Sequence, residues 1–140
     1  MSTIKAPVDP TTCPAWKALA EHKQALVADG ISLKDWFADD PERVGKLSFD
    51  VADLHFDLSK NLVKDETLGL LVQLGREVGV EERRNAMLAG EHINTTEDRV
   101  VLHTALRRQK NEAGSLIVDG QDCIADVHEV LDAMARFAEQ

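Results

Sequence analysis

Positive charge is in short supply in this sequence. Sixteen Lys and Arg stand against 25 Asp and Glu, which leaves a formal net charge of −9. Such a surface repels phosphate backbones and anionic lipid headgroups, which argues against a nucleic-acid binder or a membrane-surface protein. A small sugar phosphate is not excluded, because a local basic pocket can hold one whatever the global charge. Cysteine is scarce as well. Cys13 and Cys123 are the only two, far apart and outside any paired-cysteine motif, so a reduced chain fits better than a disulfide framework. No apolar run approaches the roughly 18 residues that a membrane-spanning helix needs. Met1 to Thr12, with one lysine and no apolar core, is not of signal-peptide type. Repeats and low-complexity segments are also missing. A soluble, cytoplasmic protein is the expectation.

The familiar catalytic signatures are missing too. There is no GxGxxG or GxxxxGK[ST] loop to cradle a nucleotide phosphate and no G-x-S-x-G elbow. Five histidines, His22, His55, His92, His103 and His128, raise the question of a metal. None pairs with another ligand type at HExxH or CxxC spacing, so no metal site is expected. The polar cluster Ser59-Lys60-Asn61 suits an anion, but an ordinary turn uses the same residue types.

What is present is enough for a packed domain: 140 residues, 44% of them hydrophobic, able to bury roughly two-thirds of the unfolded surface. Pro7 and Pro10 make residues 1–12 read as an extended arm. Pro14 suits the first turn of a helix carrying Trp16, Leu19, Ala20, Leu26 and Val27 on one face, stopped at Asp29-Gly30. Ser32 followed by Asp35 caps a short helix with Trp36 and Phe37. Asp40-Pro41 opens another turn or short helix through Val44. Leu47, Phe49 and Val51, then Leu54, Phe56 and Leu58, alternate with polar residues around Ala52-Asp53, the pattern of a β-hairpin. A lone hairpin is marginal, so something should cover its apolar face. Leu68, Leu71, Val72 and Val78 predict a helix between Asp65 and Gly79, and a short one follows from Val80 to Ala89, stopped by Gly90. Asn94 with Glu97 reads as a capping pair for a helix holding Val101, Leu102, Ala105 and Leu106. Asn111 to Gly114 is a loop, and Leu116-Ile117-Val118 a short strand ended by Asp119-Gly120. A final helix carries Ile124, Val127, Leu131, Met134, Ala135 and Ala138 on one face. It runs to Gln140 without a stop signal, which suggests a truncated chain. The fold class is therefore mainly α, with one short β-hairpin and one further short strand.

The densest polar stretch is Gly90 to Arg107. If Asn94 caps a helix there, Thr96, Arg99 and His103 share one row with Glu97 beside it. That row can be the wall of a site or a hydrogen-bonded seam between helices, and the residue types alone leave both open.

The same stretch, from Gly90-Glu91-His92-Ile93-Asn94 through Arg99 and His103 to Arg107, resembles the GExIN-x-TE-x-R-x-VLH-x-ALR block of the glucose-6-phosphate isomerases. His92 stands where many members carry lysine, and Val100 where alanine is usual. Asp57-Leu58-Ser59-Lys60-Asn61 is similar to the family's DxSKN turn, Arg84 to Met87 to its R-x-x-M pattern, and Leu116 to Gly120 with Asp122 and Val127 to the following block. The ordered blocks cover nearly the whole chain.

The resemblance implies an aldose-ketose isomerase that interconverts glucose 6-phosphate and fructose 6-phosphate through an enediol, in glycolysis and gluconeogenesis. It implies no metal or organic cofactor, α/β sugar-isomerase (SIS) subdomains, and an active site at a homodimer interface. It also implies that the catalytic glutamate, its arginine, the ring-opening groups and the phosphate loop lie C-terminal to the matched region. No catalytic or substrate-binding residue is therefore assigned to this chain. Residues 13–140 become the N-terminal helical segment of such an enzyme, inactive alone, partnered by the remaining SIS subdomains and meeting sugar phosphate only in the full-length protein. Arg99 and His103 are the candidates for supporting the site from behind. The competing reading is a free-standing helical interaction module descended from the isomerase.

Overall fold

A computed structural model describes residues 6–110 and 116–139. The predicted loop at Asn111 to Gly114 lies outside the described residues. The chain forms two compact units, Val8–Gly79 and a second one beginning at Val80.

Residues 6–9 have no regular structure, and in the first unit Pro10–Thr12 close a single 3-10 turn within the stretch expected to be an extended arm. The first α-helix, α1, spans Pro14–Ala28 and begins at the predicted proline. It stops at Asp29, with Gly30 at φ +81°, a left-handed conformation that costs glycine little. α2, Leu33–Asp39, is capped by Ser32, whose hydroxyl accepts from the Asp35 amide at 3.2 Å. α3 is one turn, Arg43–Lys46. Strands β1 (Ser48–Val51) and β2 (Leu54–Asp57) pair antiparallel with Phe49 opposite Phe56 and Val51 opposite Leu54.

α4, Asp65–Glu77, packs on α1. Two side chains join them. The Ala15 amide at the start of α1 donates to Glu77 at 2.9 Å. The His22 ring, 8% exposed, meets the Thr67 hydroxyl at 2.8 Å and stands 3.4 Å from Glu66. Cys13, Ala15, Leu26 and Leu47 are buried.

The hairpin is where packing departs from expectation. Its register is the one the alternation predicts, yet Phe49, Val51, Leu54 and Phe56 are all exposed among the described residues. Phe49 and Phe56 stack on each other across the strands, ring centres 5.4 Å apart, a cross-strand pair that supports the ribbon without burying it.

The second unit opens with α5, Val80–Leu88. Its end is a Schellman-type stop: Gly90 sits at φ +73°, and the Glu91 amide donates to the Ala86 carbonyl at 3.0 Å. An added Cβ on Gly90 would stand 2.6 Å from Val118 Cγ2 and 3.2 Å from Leu116 Cδ1, so the backbone there lies directly against the core. The predicted further strand is real but not single. β3, Ile117–Val118, turns through Asp119-Gly120 and pairs with β4, Gln121–Asp122, as a second miniature hairpin. Asp119 at φ +51° and Gly120 at φ +84° are both left-handed, as a type I′ turn requires. Asp122 then caps α6, Cys123–Ala138, accepting from the Ile124 and Ala125 amides at 3.1 and 3.2 Å. Ala105, Leu116, Val118 and Ile124 make the buried centre, with Val100, Leu102 and Cys123 against it. The described residues are thus mainly helical, with two small antiparallel sheets, and no helix among them is long and apolar enough to cross a membrane.

Candidate functional site

The predicted helix from Asn94 through Leu106 does not form. Asn94 and Arg99 instead pair as an isolated antiparallel bridge, exchanging backbone hydrogen bonds at 3.0 and 3.2 Å. The Asn94 side chain does cap, but it caps a turn: its carbonyl oxygen accepts from the Thr96 hydroxyl at 2.7 Å and from the Glu97 amide at 3.4 Å. Asp98 at φ +50° completes the reversal. Side chains of Asn and Asp offer the backbone local partners that compete with helical ones. The β-branched pair Val100-Val101 that follows also weakens helix propagation. Residues 100–102 run without helix or strand, and only Ala105–Arg107 close a 3-10 turn.

The row of Thr96, Arg99 and His103 therefore does not exist as a helix face. Thr96 is turned to Asn94 inside the turn. Arg99 is 75% exposed, with its Nε 3.9 Å from Glu97, and His103 is exposed. Arg99 and His103 do share one feature: both line an open groove of about 450 Å³ together with Val101, Leu102 and Ala105. The groove's lining is mostly apolar, which can shelter an apolar side chain but offers no convergent set of charged groups.

One polar constellation in this unit was not visible as a motif. His92 Nδ1 lies 3.0 Å from Asp98 and its Nε2 lies 3.3 Å from Asp119. The Asp98 bond, with Asp119 on the other side, raises the imidazole pKa above its ordinary 6.5 despite some desolvation. Asp98 is near in sequence, but Asp119 arrives only through the β3–β4 turn. The Asp119-Gly120 pair, read as a hairpin signal instead of a strand end, was the available clue. No group of three or more His, Cys, Asp or Glu among the described residues is arranged to hold a metal ion.

In the first unit the DLSKN stretch is organised by a buried cation. Arg43, 5% exposed, donates from Nε to the Ser59 carbonyl at 2.8 Å and from Nη2 to the Asn61 and Val63 carbonyls at 3.0 and 2.9 Å. Its guanidinium also stacks 5.2 Å from the Trp36 ring centre and 5.6 Å from that of Phe37. The donor fork, which suits several carbonyls at once, holds the turn as a structural knot. The Ser59 amide in turn donates to Asp57 at 2.8 Å. Ser59-Lys60-Asn61 is therefore a braced turn, as its residue types allowed. No sequence motif marked Arg43.

The blocks that carry the resemblance are thus the ones the structure organises as bonded turns and caps. The chain belongs to the phosphoglucose isomerase family, whose family model matches residues 57–140. It is 57% identical over 136 residues to a glucose-6-phosphate isomerase of Bifidobacterium longum, covering 97% of this chain and 24% of that protein. A glucose-6-phosphate isomerase of Mycolicibacterium smegmatis is 54% identical over 132 residues, 94% of this chain and 23% of its own length. One from Mycobacterium bovis is 50% identical over 136 residues, 96% and 24% respectively. The chain spans about a quarter of the length of the curated relatives it matches.

Proposed function

We propose that this chain is the N-terminal, non-catalytic part of a glucose-6-phosphate isomerase, the aldose-ketose isomerase of glycolysis and gluconeogenesis. One observation carries the reading: identity of 57% runs through 97% of this chain while reaching only 24% of the relative. In this reading the base, the phosphate loop and the ring-opening groups belong to the SIS subdomains, which residues 13–140 brace. Arg99 and His103 support that site from their groove without touching substrate. The working enzyme is a cytoplasmic homodimer that needs no metal or organic cofactor.

The polar inventory supports it. Among the described residues the buried cation Arg43 is committed to three carbonyls, and His92 to two carboxylates. Catalysis demands convergent groups held within ångströms of each other. The test is a chimera in which this chain replaces the matching quarter of the Bifidobacterium longum relative. Glucose 6-phosphate turnover is expected from the chimera and none from the 140 residues alone. A soluble, folded chimera without turnover, or turnover by the chain alone, overturns the reading.

A further inference from the structure

His92 is held from both sides. Each ring nitrogen faces one carboxylate, Asp98 at 3.0 Å from the turn of residues 94–99 and Asp119 at 3.3 Å from the β3–β4 turn. A neutral imidazole carries one N–H and so can donate to one of them only; the imidazolium donates to both. Asp98 and Asp119 are also two of the three non-glycine residues with positive φ among the described residues, +50° and +51°. Asp tolerates left-handed backbone as a single turn residue, and here each such Asp also turns its carboxylate to the ring. The ring thus ties together two turns distant in sequence. On the third side, α5 sends Arg83, whose guanidinium donates to the Ile93 carbonyl at 3.1 Å and anchors the residue next to the histidine. Asp98 and Asp119 are the charged groups paired with the ring itself.

We propose that His92 is a pH-operated clamp, whose imidazolium fastens the 94–99 turn to the β3–β4 turn and whose deprotonation lets the two part. The consequence falls on the groove, because Asn94, Glu97 and Arg99 of the clamped turn line it. Below 6.5 the turn is fixed; as pH rises through the raised pKa of the ring it loosens. The sign follows from linkage. A ring whose folded pKa lies above its unfolded one contributes order that is complete below 6.5 and is lost as pH rises through the folded value.

The test reads the ring and the turn separately in the full chain. An NMR titration should place the His92 midpoint above 6.5, and Asp98→Asn and Asp119→Asn should each lower it. Hydrogen-exchange protection of the Asn94 and Arg99 amides, corrected for intrinsic base catalysis, should fall between pH 6 and pH 9. The fall should approach about tenfold for each unit by which the midpoint exceeds the unfolded value. His92→Lys carries a charge up to about pH 10 and should keep protection flat across that range. His92→Gln should give the low value throughout. A midpoint at or below 6.5, or protection that ignores both pH and the His92→Lys change, overturns the clamp. Should His92→Gln fail to fold, the two Asp variants decide alone: an unmoved midpoint in both removes the idea.

Discussion

Two glycines in the second unit have similar backbones and different surroundings. Gly90 and Gly120 sit at φ +73° and +84°, so an alanine at either is strained by roughly 1–2 kcal/mol. Around Gly120 nothing lies within 4 Å of an added Cβ, while at Gly90 the methyl meets Val118 Cγ2 at 2.6 Å. Overpacking of that kind adds about 1–3 kcal/mol. Gly90→Ala should therefore cost about 2–5 kcal/mol in urea unfolding and Gly120→Ala only about 1–2 kcal/mol. Equal losses at the two positions would mean that the contact of Gly90 with the core has no energetic weight. Arg43 shows the complementary case, a side chain whose importance is set entirely by what folds around it. Its sequence neighbours Glu42 and Val44 are exposed and carry no hint of the Trp36 and Phe37 faces or the three carbonyls it meets.

At the scale of elements, the β1–β2 hairpin turns at Ala52, which holds φ +51°. Glycine adopts that conformation without the Cβ clash that alanine carries, though it loses more freedom on folding. The net effect of Ala52→Gly should be a gain of about 0.5–1 kcal/mol, read as a melting temperature higher by about 2–4 °C. A lower melting temperature would place the cost in the unfolded chain and refute the argument from φ. The same element illustrates what the sequence could and could not tell. Helix starts and stops at Pro14, Gly30, Ser32, Gly79 and Gly90 were legible because each is a local steric or hydrogen-bonding event. The hairpin register was legible for the same reason, its period of two being unbroken on either side of Ala52-Asp53.

Residues 94–106 were misread because the Asn94 side chain accepts from the Glu97 amide in a closed turn just as it does at a helix start. What decides between them is Asp98 adopting φ +50° and meeting His92, and that pairing comes with Asp119 from 21 residues further on. The partner strand of β3 was missed because two residues, Gln121 and Asp122, are too few to show a period. Of the candidate site, the sequence suggested a row on a helix face, and that row does not form. Arg99 and His103 do line a common groove, but on an irregular segment and not on a helix face.

The two compact units do share one property at the scale of the whole molecule. Each leaves a patterned apolar face open to solvent, Phe49, Val51, Leu54 and Phe56 on the hairpin and Val130, Leu131, Met134 and Phe137 on α6. On α6 the pattern is helical and begins buried, at Ile124, before emerging into solvent; Met134 is 63% and Phe137 80% exposed. A stripe of that regularity is a core-facing pattern, and the relatives contain about three times as much further polypeptide to meet it. Under the proposed function, further polypeptide covers the stripe. If so, Met134→Glu with Phe137→Glu should leave the stability of the isolated chain within about 0.5 kcal/mol, because neither side chain is packed. The same pair should reduce its binding of a hydrophobic dye and, placed in the full-length chimera, should lower its melting temperature and its yield of active enzyme. A chimera indifferent to both charges would show that the stripe faces water in the complete protein, and the argument from exposed surface to missing polypeptide would fail with it.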